Sequence, residues 1–169
     1  MVRTARIVLE NAFYHVIARG NQKQKIFIDN ADYKKYLRLL KRYKKEFSVA
    51  IYAYCLMPNH IHLILKPFKL DHFSRFMKVF HQTYTQYFNN KYQKAGHLWQ
   101  GRFKSFLIND EQYFLDCIKY IEFNPIRAQI ATSLNDYLWS SYHVRILGKK
   151  NGMLNSIEEA LKGDTPQQS

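Results

Sequence analysis

The stretch Pro58-Asn59-His60-Ile61-His62-Leu63-Ile64-Leu65 decides how this chain is read. Pro-Asn is turn chemistry, and the six residues after it read as a strand. In a β-strand, positions i and i+2 point to the same face. Ile61, Leu63 and Leu65 then face one way, and His60, His62 and Ile64 the other. Two imidazoles on one face of a rigid strand can present neutral ring nitrogens to one cation. The same spacing also fits two half-buried sheet histidines with ordinary hydrogen bonds. Spacing alone leaves both readings open.

Working outward, Val49 to Met57 is rich in β-formers and reads as a buried central strand. Met57-Pro58-Asn59 turns it into the histidine strand, which runs to Lys66 and stops at Pro67. Upstream, Ala12 to Arg19 alternates, with Phe13, His15, Ile17 and Arg19 on one face. Gly20-Asn21 breaks that strand, and a polar, basic loop follows. Asn30 suits the N-cap of a helix with Tyr33, Tyr36, Leu37, Leu40, Tyr43 and Phe47 as its apolar stripe. Lysines and arginines from Lys34 to Lys45 fill the other faces and read as solvated, with a phosphate-backbone track as the other reading.

Downstream, Phe73, Phe76, Met77, Phe80, Tyr84, Tyr87 and Phe88 mark a second amphipathic helix. Phe103 to Ile108 reads as a further strand. Asp110 caps a third helix with Phe114, Cys117, Ile118 and Ile121 as its core stripe, and Pro125 ends it. Trp139 to Leu147 reads as a short helix. Asn155 with Glu158 reads as a capping box for a last, acidic helix, and Asp164 to Ser169 as a disordered tail. Strands alternating with helices around a central hairpin predict an α+β fold, an antiparallel sheet with helices packed against it. Residues 1–150 are expected to form one domain, with 151–169 a C-terminal helix and tail.

Lys and Arg number 26 against 13 Asp and Glu, a formal charge of +13. That excess favours a polyanionic partner. Thirteen Tyr and twelve Phe, interleaved with cations, suit stacked, unpaired bases, although most such rings serve the core. Cys55 and Cys117 lie in apolar elements and outside any CxxC pair, which speaks against a zinc knuckle or a disulfide scaffold. No secretory signal pattern opens the chain, and its longest apolar run is too short to span a bilayer. A cytoplasmic location is the default expectation.

A cation held by two histidines needs oxygen ligands to suit phosphate chemistry. Tyr120 and Asn124, four residues apart, are neighbours on one face of the third helix. An amide oxygen at Asn124 can complete a site begun by His60 and His62. A phenol at Tyr120 would then lie beside whatever the cation binds. A tyrosine is a poor nucleophile with its proton on, and a metal that polarises the attacked phosphate makes it useful. Tyr120 is also one of thirteen tyrosines, and Asn124 also suits a plain helix end before a proline.

Four phrases carry a family resemblance. They are Tyr14-His15-Val16-Ile17-Ala18-Arg19-Gly20-Asn21, Cys55 through Leu63, Gly96 through Lys104, and Tyr120 through Ala128. In this order they resemble the single-tyrosine HUH transposases, most closely the REP-associated tyrosine transposases, from about residue 10 to about residue 142. HUH denotes His, a bulky hydrophobic residue, His; here it is His60-Ile61-His62. The resemblance implies a ferredoxin-like core and a divalent metal, Mg2+ or Mn2+. It implies nicking of single-stranded DNA through a 5′-phosphotyrosine, with hairpin DNA the expected partner. Carried over by position, Tyr120 is the nucleophile and His60, His62 and Asn124 are the metal ligands. Many relatives in the broader class carry Gln where this chain has Asn124. That class works as dimers and REP-associated members can be monomeric, so monomer and homodimer are both open.

Arg19, Trp99, Arg102 and Lys104 are candidate nucleic-acid contacts, by phosphate pairing or base stacking; Trp99 suits a structural role equally well. Tyr84 and Tyr87 lie on an apolar stripe and read as core. His15, His72, His81, His97 and His143 have no partner at metal spacing in the sequence. Two rival functions stay in view: a non-catalytic hairpin DNA or RNA binder, and a relaxase or replication-initiation nuclease of the same chemistry. No basic amphipathic helix with an exposed apolar face points to a membrane.

Overall fold

The hairpin forms as the sequence predicts. In a computed structural model describing residues 9–146, 148 and 152–162, strand β2 (Val49–Met57) pairs antiparallel with β3 (His60–Pro67). Strand β1 (Phe13–Arg19) lies antiparallel on the other side of β3, and β4 (Lys104–Ile108) pairs with β1. The sheet order is β2-β3-β1-β4. Both crossovers run through long helices, α1 (Asn30–Glu46) and α2 (His72–Tyr92). This is the ferredoxin-like α+β arrangement.

Alternation decides what each face buries. Tyr14, Val16, Ala18, Ile61, Leu63 and Leu65 point to one side and form the main core with the stripes of α1 and α2. On the other side Ile64, Tyr52 and Cys55 meet Phe114, Cys117, Ile118 and Ile121 of helix α3 (Glu111–Glu122). A bulge between Ile51 and Ala53 shifts the alternation of β2. Every residue of β2 is buried, as expected of a strand covered on both faces. Cys55 and Cys117 are buried free thiols in that second core.

Gly20 ends β1 where a side chain has no room. A Cβ there would lie 2.2 Å from the Gln24 carbonyl oxygen. Its N–H donates to the Asn59 carbonyl, and Ile26 N–H donates to Pro58. The hairpin turn is thereby tied to the end of β1, which fixes the height of His60.

Several local expectations are corrected. The cap of α1 is Asp29, one residue earlier than Asn30; it exchanges hydrogen bonds with Asp32 in a capping box. Lys44 lies under the surface and donates to the Met153 carbonyl and to Asn155 Oδ1. Asn155 is therefore no cap: its Oδ1 also accepts from the edge-strand N–H of Ile51. Ser156 caps the last helix, α6 (Ile157–Leu161), with Glu159 as the N–H donor. The capping rule is met by either of two adjacent polar residues, and tertiary partners choose between them. Asp110 caps α3 as expected, accepting from Tyr113 N–H. The short helix α5 is Ser141–Ile146. Residues 164–169 lie outside the described residues.

Candidate functional site

The second face of the sheet is only partly covered. α3 packs over β2 and β3 and reaches Phe13 at the start of β1 and Ile108 at the end of β4, while Arg19, Lys104 and Phe106 stay exposed. Cross-strand register places Arg19 opposite His60, Ile17 opposite His62, and Lys104 opposite Ile17. Paired residues share a face, so His60, His62, Arg19 and Lys104 line one surface beside α3.

His60 and His62 have ring centroids 5.1 Å apart, edge to face. Each has its Nδ1 engaged: His60 Nδ1 donates to Asn59 Oδ1 at 2.7 Å, and His62 Nδ1 lies 2.9 Å from His15 Nε2. The Nε2 atoms are left for another partner. His60 Nε2 is 3.5 Å from Asn124 Nδ2, and an amide rotated by half a turn would present its oxygen instead. Burial lowers the His60 pKa to about 4, with the Arg19 charge adding to the effect. Burial lowers His62 to about 3, helped by His15, His60, Arg19 and Arg127. Both rings are thus neutral at ordinary pH, the form that ligates a cation.

Helix α3 delivers the tyrosine. It ends at Glu122, and Asn124 opens a separate helical turn, α4 (Asn124–Arg127), with Pro125 in its first turn. Asn124 is therefore not on the third helix itself. Phe123 keeps right-handed helical angles between them, so Tyr120 and Asn124 stay on one side. The Tyr120 ring stands edge-on to His62 with centroids 6.4 Å apart, and the residue is 52% exposed. The Arg127 guanidinium covers that ring at 3.9 Å from its centroid and donates to the Tyr120 carbonyl. The folded chain thus brings together His60, His62, Asn124 and Tyr120.

Two neutral imidazoles and one amide make an open, uncharged donor set that suits a divalent cation also bound by phosphate oxygens and water. Among the described residues no group of three or more His, Cys, Asp or Glu could hold a metal ion. Beside His60 the side chain within reach is the neutral amide of Asn124.

The other candidates divide. Arg19 and Lys104 belong to this surface. Trp99 stacks on His81 at 4.0 Å and 7°, partly buried against the main core. With Arg102 it lines two adjoining cavities of about 410 and 540 Å3 between α2 and the 97–103 loop. That loop is pinned to the end of β1 by Asn21 N–H to Leu98 and Gln100 N–H to Arg19. Tyr84 is fully buried and donates to the Ile26 carbonyl. Tyr87 donates to Asp32. Both are structural.

Sequence reasoning misses three neighbours of the site. Asn59 reads only as a turn residue. Arg127 lies seven residues after Tyr120, two helical turns, a spacing that could have signalled it. His15 shares the alternating face of β1 with Arg19, but only strand pairing sets it beside His62.

Comparison with known proteins agrees with this architecture. A family model described as IS200-like transposase matches residues 8–124. A Haemophilus influenzae protein named as a REP-associated tyrosine transposase is 29% identical over 102 residues, 54% of this chain and 57% of that protein. The chain thus spans little more than half the length of that relative. A solved structure of a REP-associated tyrosine transposase bound to a REP hairpin superposes with a TM-score of 0.71 at 18% identity, covering 92% of each chain; that likeness is one of fold. Among the described residues no helix is long and apolar enough to cross a membrane.

Proposed function

The chain belongs to the IS200-like transposase family, and from that premise we propose that it nicks and rejoins single-stranded DNA through a 5′-phosphotyrosine on Tyr120, with hairpin DNA as its substrate. The observation that carries this reading is the convergence of Tyr120 on the two histidines: its ring stands 6.4 Å from His62, while Asn124 lies 3.5 Å from His60.

In this reading His60, His62 and Asn124 hold Mg2+ or Mn2+. Held there, such a cation would polarise the phosphate and offset its developing charge. Tyr120 Oη bonds to phosphorus and gives its proton to solvent, which its exposure allows. The bond from phosphorus to the upstream O3′ breaks, and that oxygen leaves as a free 3′-hydroxyl after taking a proton. Attack by another 3′-hydroxyl on the phosphotyrosine reverses these bonds and restores the phenol. Arg127, over the Tyr120 ring, and Arg19, opposite His60, would supply fixed positive charge to the phosphoryl oxygens of the pentacoordinate transition state. Arg19, Lys104, Arg102 and Trp99 extend a cationic, partly aromatic track for the single strand.

Labelled single-stranded DNA from the flanks of the protein's own gene, incubated with Mg2+ or Mn2+, tests the reading. A covalent protein–DNA band is expected. His60→Ala, His62→Ala and Tyr120→Phe should abolish it while leaving most of the DNA binding, since phosphate contacts are spread over many cations. Tyr84→Phe and Tyr87→Phe should keep it. Hairpin binding with no adduct in the wild type would favour the non-catalytic binder, and an adduct mapped to another tyrosine would remove Tyr120 from the role.

A further inference from the structure

The hydrogen bond between His15 Nε2 and His62 Nδ1, 2.9 Å long and buried, has two possible proton arrangements. In one, His62 carries its proton on Nδ1 and donates to an unprotonated His15 Nε2. His62 Nε2 then has a free lone pair. In the other, His15 Nε2 donates, His62 Nδ1 accepts, and the His62 proton sits on Nε2, where it blocks ligation. The same hydrogen bond thus admits a ligating and a non-ligating His62.

His60 faces no such choice. Its Nδ1 lies against Asn59 Oδ1, and with the amide so oriented the ring donates there and keeps Nε2 unprotonated. For His62 the choice is delegated to a second imidazole 47 residues earlier in the chain. The rings lie nearly parallel, with centroids 5.2 Å apart and 26° between planes. His15 is itself 7% exposed and packs toward Phe106 of β4, so its ring is fixed from two strands.

We propose that His15 is a positioning residue of the site, accepting a hydrogen bond through Nε2 and so holding His62 in the tautomer that ligates through Nε2. This rests on the reading of His60 and His62 as metal ligands. A partner of this kind orients a ligating histidine and raises its basicity, and losing it costs about 10–100-fold in metal affinity.

Two variants separate acceptor from filler. His15→Phe keeps the ring volume and removes the acceptor. His15→Gln places an amide oxygen at a similar reach. Mn2+ binding, followed by electron paramagnetic resonance without DNA, should weaken about 10–100-fold in His15→Phe and return to within a few-fold of wild type in His15→Gln. A purely structural role would give no rescue by Gln. Equal Mn2+ affinity in wild type and His15→Phe would overturn the role of His15 and leave the metal site standing. Wild type that takes up no Mn2+ would overturn the metal reading and this inference with it. Should His15→Phe not fold, nitrogen-15 imidazole spectra of the metal-free wild type decide. A His62 proton on Nδ1 supports the proposal, and one on Nε2 refutes it.

Discussion

Burial keeps four imidazoles of this chain uncharged. His15 and His60 are lowered to about 4, and His62 and His81 to about 3, with desolvation the main cause in each. An unfolded chain binds a proton at each below about 6.5, and the folded chain does not. Between those values the unfolded state holds more protons, so stability falls as pH falls. His81, whose Nε2 lies 2.9 Å from the Tyr36 hydroxyl, is the cleanest probe because it stands outside the site. Denaturant unfolding of the metal-free protein at pH 7 and pH 5 should show the loss. His81→Gln, which keeps a partner for Tyr36, should lessen the slope by about one proton. Asp32, held to about 2 by hydrogen bonds that outweigh its burial, stays ionised over this range and does not intrude. A variant slope parallel to wild type would reject the assignment for His81. At this scale the sequence is readable where the pattern is local. The alternation of His60, Ile61 and His62 is a property of the strand itself, and the core role of Tyr84 follows from its helix stripe. The contact between His15 and His62 depends on which strand lies beside which, and spacing carries no such information.

Elements are held in place by contacts that join distant segments. β2 is an edge strand, and its outer side is sealed piece by piece. Trp139 accepts from Leu56 N–H, Ser141 Oγ accepts from Tyr54 N–H, Arg145 donates to the Tyr52 carbonyl, and Asn155 pairs with Ile51 through both its backbone N–H and its side chain. Covered in this way, the edge offers no template to another chain. Asn155→Ala would leave Ile51 N–H without its acceptor and take one partner from Lys44, whose pKa burial already lowers to about 8. A loss of about 2–3 kcal/mol is expected in urea unfolding. Glu158→Ala, at an exposed position, should change stability by no more than about 0.5 kcal/mol. A large effect of Glu158 with none of Asn155 would restore the capping box that the sequence suggests. Helix existence and core stripes are legible because 3.6-residue periodicity survives any packing. Caps are legible only to within one residue, since Asp29 and Asn30, or Asn155 and Ser156, satisfy the same local rule. Pro125 foretells the break at Glu122, but not the fresh helical turn that keeps Asn124 beside Tyr120.

At the scale of the whole molecule, one chain brings the four candidate side chains together. Tyr120 approaches His62 of its own chain, and Asn124 approaches its own His60. The helix that carries the tyrosine is anchored by Phe114, Cys117, Ile118 and Ile121, all buried against the sheet. Phe114 packs on Phe13 at 4.5 Å and on Tyr52 at 5.6 Å. At the helix end, Glu122 bonds Ser141 Oγ and Arg145. That packing holds Tyr120 beside the His62 of its own chain, and only an exchange that rebuilt the same buried face on a second copy could move it there. The tyrosine should therefore act in cis, whether the protein is a monomer or a dimer in solution. Mixing Tyr120→Phe with His60→Ala tests this directly, because each variant keeps the half that the other lacks. With both chains co-expressed, to allow any exchange during folding, no covalent adduct should form beyond the background of either variant alone. An adduct recovered in the mixture would mean that tyrosine and histidines meet between copies, and that α3 leaves the packing described here.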